Sequence, residues 1–172
     1  MDTIAHWLQS VPLFVLVLGA GTVLSAVLAA PLAKWLKEPW WVLFGLGFGV
    51  SLIVGATLTP SPDGTYGACL TEVLRPLGPR GLLVVSDRML NTWLFVPLGV
   101  CAGYLAVRRW WVLVLAFGVP FAVELTQRAV EQLQRRCQFQ DLVDNTWGLV
   151  LGAAVGVLLG LTMRPRRHSG SA

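Results

Sequence analysis

Charge is scarce in this chain: only 13% of its 172 residues are charged, against 55% hydrophobic. A soluble domain carries about 25% charged residues, so water is excluded as the main solvent, and a mean hydropathy of +0.68 agrees. Histidine is almost missing. His6 and His168 are terminal and neither lies near the acidic residues of the later helices, which argues against a zinc site or a serine-histidine triad. A glycine-rich phosphate loop is also missing, and the three cysteines (Cys69, Cys101 and Cys137) form no metal-binding array. These absences leave no metal, cofactor or nucleic-acid partner to expect. The net charge of +4 does not change that, because most Lys and Arg residues flank apolar runs, where they act as topology signals and phosphate contacts.

What the chain has in abundance is long apolar runs. A hydrocarbon core about 30 Å thick takes roughly 20 apolar residues per helix. Runs bounded by charges predict spans at residues 11–33, 40–58, 90–107, 110–127 and 142–163. The expected fold is all-α, a polytopic transmembrane helical bundle of about five spans forming one membrane domain over residues 1–172. Lys34 and Lys37 close the first span, and Pro39, Trp40 and Trp41 open the second at an aromatic belt. The segment Met1 to Ser10 contains Asp2 and no Lys or Arg, so no cleavable signal is expected and the first helix serves as an anchor. Thr59, Pro60, Ser61, Pro62, Asp63 and Gly64 predict a loop, and Leu82 to Val85 is too short to cross, giving a short interfacial element. From Glu131 to Gln140 the helix is expected to continue before turning. Residues 164–172 form a basic tail.

Short basic segments abutting helix ends resist translocation. Lys34, Lys37, Arg108, Arg109, Arg164, Arg166 and Arg167 fit that description, which predicts the amino terminus outside and the carboxyl terminus in the cytoplasm. Cys69 and Cys137 then both face an oxidising side, where they can form a bridge or remain two thiols, and Cys101 is a packing residue inside the third span.

Ionisable groups at membrane depth are costly and usually face the bundle interior, so Asp87, Glu124, Asp141 and Asp144 draw notice; all four fall at one end of their helices. Asp87 and Asn91 share a helical face, as do Glu124, Gln127 and Glu131, and Asp141, Asn145, Gly148 and Gly152. These stripes, with Arg88, Arg128, Arg135 and Arg136 nearby, are expected to meet at the outer boundary. There they either hold helix ends together by ion pairing or make a polar cup for the head group of a lipid or another amphiphile. Gly148, Gly152, Gly156 and Gly160 recur every four residues and predict close packing against another helix. Pro97 and Pro120 predict kinks.

Asn91, Phe95, Pro97 and Gly99, then Glu124 and Gln127, then Arg135, Cys137, Asp141, Asn145, Gly148 and Gly152 stand in an order and spacing that resembles the VanZ-like family of bacterial membrane proteins. The resemblance covers about residues 87–160. It departs at Gln138 and Gln140, where many relatives carry acids, and at Asp144, where an apolar residue is usual. The resemblance implies a bacterial cell-membrane protein whose family namesake lowers susceptibility to teicoplanin, a lipid-tailed glycopeptide acting at the outer face. The first functional expectation is an envelope-modulating protein whose ligand is a lipid head group, a cell-wall precursor or a lipoglycopeptide. Asp87, Asn91, Glu124, Gln127, Arg128, Arg135, Arg136, Asp141 and Asn145 are its candidate contacts. The rival is a membrane-embedded enzyme acting on a lipid-linked envelope substrate, with Glu124 or Asp141 as general acid or base. A proton-coupled carrier ranks last, because the number of spans is odd and no internal repeat is visible.

Overall fold

A computed structural model describes residues 2–60, 67–72 and 75–163, with side chains from Leu13 onward. The turn residues Ser61, Pro62, Asp63 and Gly64, and the basic tail, lie outside the described residues. The fold is all-α, with five α-helices among the described residues: α1 (Asp2–Leu36), α2 (Trp40–Thr57), α3 (Asp87–Ala106), α4 (Trp111–Ala129) and α5 (Phe139–Met163). Each is long and apolar enough to cross a membrane. Two short 3-10 turns, Gly81–Leu83 and Glu131–Leu133, lie in the connections.

Local chemistry explains where these helices end. The α1 helix stops in a left-handed residue, Lys37 (φ 54°), and the Glu38 amide donates back to the Ala33 carbonyl at 3.2 Å, a Schellman-type stop with lysine in the place glycine usually takes. Pro39 then caps α2. The α3 helix starts three residues before the expected position 90 because Ser86 caps it, its hydroxyl accepting from the Met89 amide. Beyond Ala129 the expected helical continuation is absent. Gln134 takes a left-handed conformation (φ 48°), and the chain then runs extended so that Gln138 forms a parallel bridge with Leu70. Backbone bonds on both sides of that bridge, Leu70 amide to Cys137 carbonyl and Phe139 amide to Leu70 carbonyl (both 3.0 Å), start α5 at Phe139 rather than at 142.

The α3 helix is central, packing against α2, α4 and, most extensively, α5. Its buried face, Phe95, Leu98, Ala102 and Leu105, makes the core with Val42 and Ile53 of α2 and Leu149 of α5. The α5 glycines explain the depth of that last contact. A Cβ on Gly148, Gly152 or Gly156 would overlap the carbonyl oxygens of Thr92, Val96 and Val100, and one on Gly160 would sit 3.0 Å from that of Tyr104. The seam is reciprocal, since a Cβ on Gly99 would lie 2.6 Å from the Leu149 carbonyl and one on Gly103 would strike that of Ala153. A second small-residue contact joins α1 to α2, where Gly21 faces Ser51 and Gly47 faces Ser25. Both serine hydroxyls donate to carbonyls four residues back in their own helices, so neither hydroxyl is left without a partner at the crossing.

Gly152→Leu is expected to force α5 from α3 and destabilise the protein by at least the ~1–3 kcal/mol typical of overpacking. Gly118→Leu, where a Cβ meets nothing within 4 Å, should leave stability equal or better. Thermal unfolding in detergent, read as the loss of the monodisperse peak, checks both.

Candidate functional site

At one end of the bundle α2 and α4 finish while α3 and α5 begin, and most of the polar residues collect there. The α3 and α5 glycine seam brings Arg88 opposite Asp144. The Asp144 side chain is 0% exposed and accepts a two-pronged bond from Arg88, Nε to Oδ2 at 2.8 Å and Nη2 to Oδ1 at 2.9 Å. The same Nη2 donates to the Arg75 carbonyl at 2.7 Å. One turn away Asn91 Nδ2 donates to Asp141 Oδ1 at 2.9 Å, a second rung between the same helices.

A different set of groups closes the gap between α4 and α2. The last carbonyls of a helix have no partner within it, and at the end of α2 they are met from outside. Gln127 Nε2 donates to Thr57 O at 3.0 Å, while Arg135 donates from Nε to Thr59 O at 3.1 Å and from Nη2 to Ala56 O at 2.9 Å. Burial pulls the Arg135 guanidinium below its ordinary value, with the neighbouring Asp141 charge acting against that pull. An arginine so placed stays cationic and stabilises the negative end of the α2 dipole.

The connecting loops are tied over this end. Cys69 is bonded to Cys137, with Cα atoms 4.8 Å apart, beside the Leu70 to Gln138 bridge. Trp147 Nε1 donates to Leu77 O at 3.2 Å, and Trp93 Nε1 to Leu82 O at 3.1 Å. Arg136 lies against Gly67. Between α4 and the start of α5 this leaves a cavity of ≈ 290 Å³. Its walls are Phe121, Leu125, Phe139 and Leu142 with the Cys69–Cys137 pair, and Glu124, Arg128 and Gln138 border it. Glu124 Oε2 accepts from the Gln138 amide at 3.0 Å, whereas its Oε1 is buried with no hydrogen-bond partner among the described residues.

The nine candidate contacts therefore separate into groups instead of forming one cup. Glu124 and Arg128 border the cavity, Asn91 and Asp141 bond each other, and Gln127 and Arg135 hold the end of α2. Asp87 is exposed on the first turn of α3, Arg136 packs at the loop, and Asn145 is 3% exposed, its Oδ1 unpartnered among the described residues. What spacing did not reveal is the Arg88 and Asp144 pair. Its partners lie 56 residues apart, and the only signal was a carboxylate embedded in an apolar run.

Five apolar helices with a polar, loop-covered end define a multi-pass helical membrane protein. Within that class the chain belongs to the VanZ-like family: the VanZ/LLP1 family model matches residues 51–160, which takes in α3, α4 and all but the last three residues of α5. No curated protein and no solved structure matches the chain.

Removing one partner of a buried pair leaves the other charge uncompensated. Asp144→Leu or Arg88→Met alone should each cost about 3–5 kcal/mol, and the double replacement should recover most of it. Denaturant unfolding in micelles, arranged as a double-mutant cycle, measures the coupling.

Proposed function

We propose that this VanZ-like protein binds a tailed amphiphile of the bacterial envelope at its polar end, in the cavity between α4 and α5. A lipid head group, a cell-wall precursor or a lipoglycopeptide of the teicoplanin type has the required chemistry. The observation that carries this is the composition of the cavity: apolar walls from Phe121, Leu125, Phe139 and Leu142 with a carboxylate and a guanidinium, Glu124 and Arg128, on its border. Apolar walls alone select little inside a bilayer, because lipid tails are as apolar as leucine. Discrimination falls to the head group, and Glu124 and Arg128 provide hydrogen bonds and charge for that purpose.

In this proposal the polar end faces outward. The Cys69–Cys137 bond supports that side, since disulfides persist in oxidising compartments. The opposite end supports it too, because Lys34, Lys37, Arg108 and Arg109 crowd the short turns there, as basic residues do on the cytoplasmic side. A membrane-impermeant maleimide applied to intact cells should label Leu83→Cys, which is exposed beside the polar end, and spare Trp110→Cys at the basic end. The reverse pattern would invert the topology and remove the proposed site from the outer face.

The functional expectation is read in a Gram-positive host. The wild-type chain should raise tolerance to teicoplanin and leave vancomycin unchanged, and Glu124→Gln should weaken amphiphile binding about tenfold, the size of one lost charge-assisted bond. Binding that survives Glu124→Gln while the cellular effect disappears would point instead to proton transfer by that carboxyl on an envelope substrate. No change in tolerance with any variant, at equal membrane levels, would sever the site from glycopeptide response.

A further inference from the structure

The opposite, basic end of the bundle holds a larger and different opening. At the polar end Gln127 of α4 and Arg135 of the connection that follows it bond to carbonyls at and just beyond the end of α2. At the other end both helices lean on α3 with a groove between them. Its volume is ≈ 460 Å³ and its floor is Leu98 and Leu105 of α3. On α4 the lining runs from Trp111 to Val119, about 12 Å at 1.5 Å per residue. The mouth is marked by Trp35, Trp111 and Arg109.

Arg109 is the informative group. Its Nη2 donates to the Leu36 carbonyl at 3.1 Å, which holds the guanidinium at the rim of an apolar groove. Lys34, Lys37 and Arg108 are exposed at the same end. Tryptophans at such a level occupy the head-group boundary. We propose that this groove is a binding site for an anionic phospholipid of the adjacent leaflet, one acyl chain lying between α2 and α4 and the phosphate meeting Arg109. A second copy of the chain fits worse, because two such basic ends would be brought together.

The test uses the full chain purified in detergent and exposed to equal amounts of phosphatidylglycerol and phosphatidylcholine, with bound lipid counted by native mass spectrometry. Wild type should retain phosphatidylglycerol in preference. Arg109→Gln should reduce that preference about fivefold, the share of one basic group near a membrane surface, and Arg109→Lys should keep it. Val119→Trp, which fills the groove, should release the lipid, while Leu158→Trp on the exposed face of α5 should not. Equal retention of the two lipids, or a preference that survives both Arg109→Gln and Val119→Trp, overturns the proposal. So does a dimer that Val119→Trp dissociates. Should Val119→Trp fail to fold, the arginine pair decides alone. Because the site is at the far end from the amphiphile cavity, its failure leaves that proposal untouched.

Discussion

The contact on which the rest of this molecule depends is the backbone-to-backbone seam between α3 and α5. Inside a bilayer, helices gain no hydrophobic energy by associating, so close van der Waals contact over several turns must supply the attraction. A glycine every four residues on α5 opens that surface to the carbonyls of α3, and Gly99 and Gly103 return the favour from the other side. With side chains removed from the interface, the two axes come close enough for Arg88 to reach Asp144 and for Asn91 to reach Asp141.

Seam and ion pair have separate duties. Glycines repeating with the helical turn would tolerate a slip of one turn, about 5.4 Å, with similar packing. A fork between one guanidinium and one carboxylate does not tolerate it. Burying both charges is expensive, and the pair itself is weak evidence of net stability; its clearer contribution is register. Register in turn sets the loops, since Arg88 also holds the Arg75 carbonyl while Trp147 and Trp93 hold those of Leu77 and Leu82. The residues beyond the bundle are thus positioned by the same two helices that make its core.

The two ends of the bundle differ because their polar groups are used differently. At the polar end, arginine and glutamine side chains are consumed in satisfying helix-end carbonyls and a buried carboxylate, which draws the helices together and leaves a small cavity against α4. At the basic end Arg109 meets the last carbonyl of α1, Lys34, Lys37 and Arg108 stay exposed, and α2 and α4 stand apart. One end is therefore closed by internal hydrogen bonds, and the other presents charge and apolar surface to whatever lies in the membrane.

Composition and hydropathy alone determined the class, the number of helices and the end at which acids gather, because each depends on local runs of residues and on the thickness of a bilayer. The family resemblance was also legible, since Asn91, Glu124, Asp141 and the glycines that follow stand at positions where an isolated apolar helix would carry leucine. Tertiary structure decided the partners. Spacing marked Arg135 and Gln127 as candidate contacts but could not name the groups they bond within the protein, which are carbonyls at the end of a helix some seventy residues earlier. The polar stretch after α4 looked helical until Leu70 and Cys69 drew Gln138 and Cys137 into an extended pairing. Periodicity records which face of a helix a residue occupies, whereas the group it meets depends on how distant helices cross, and that is settled only when the chain packs.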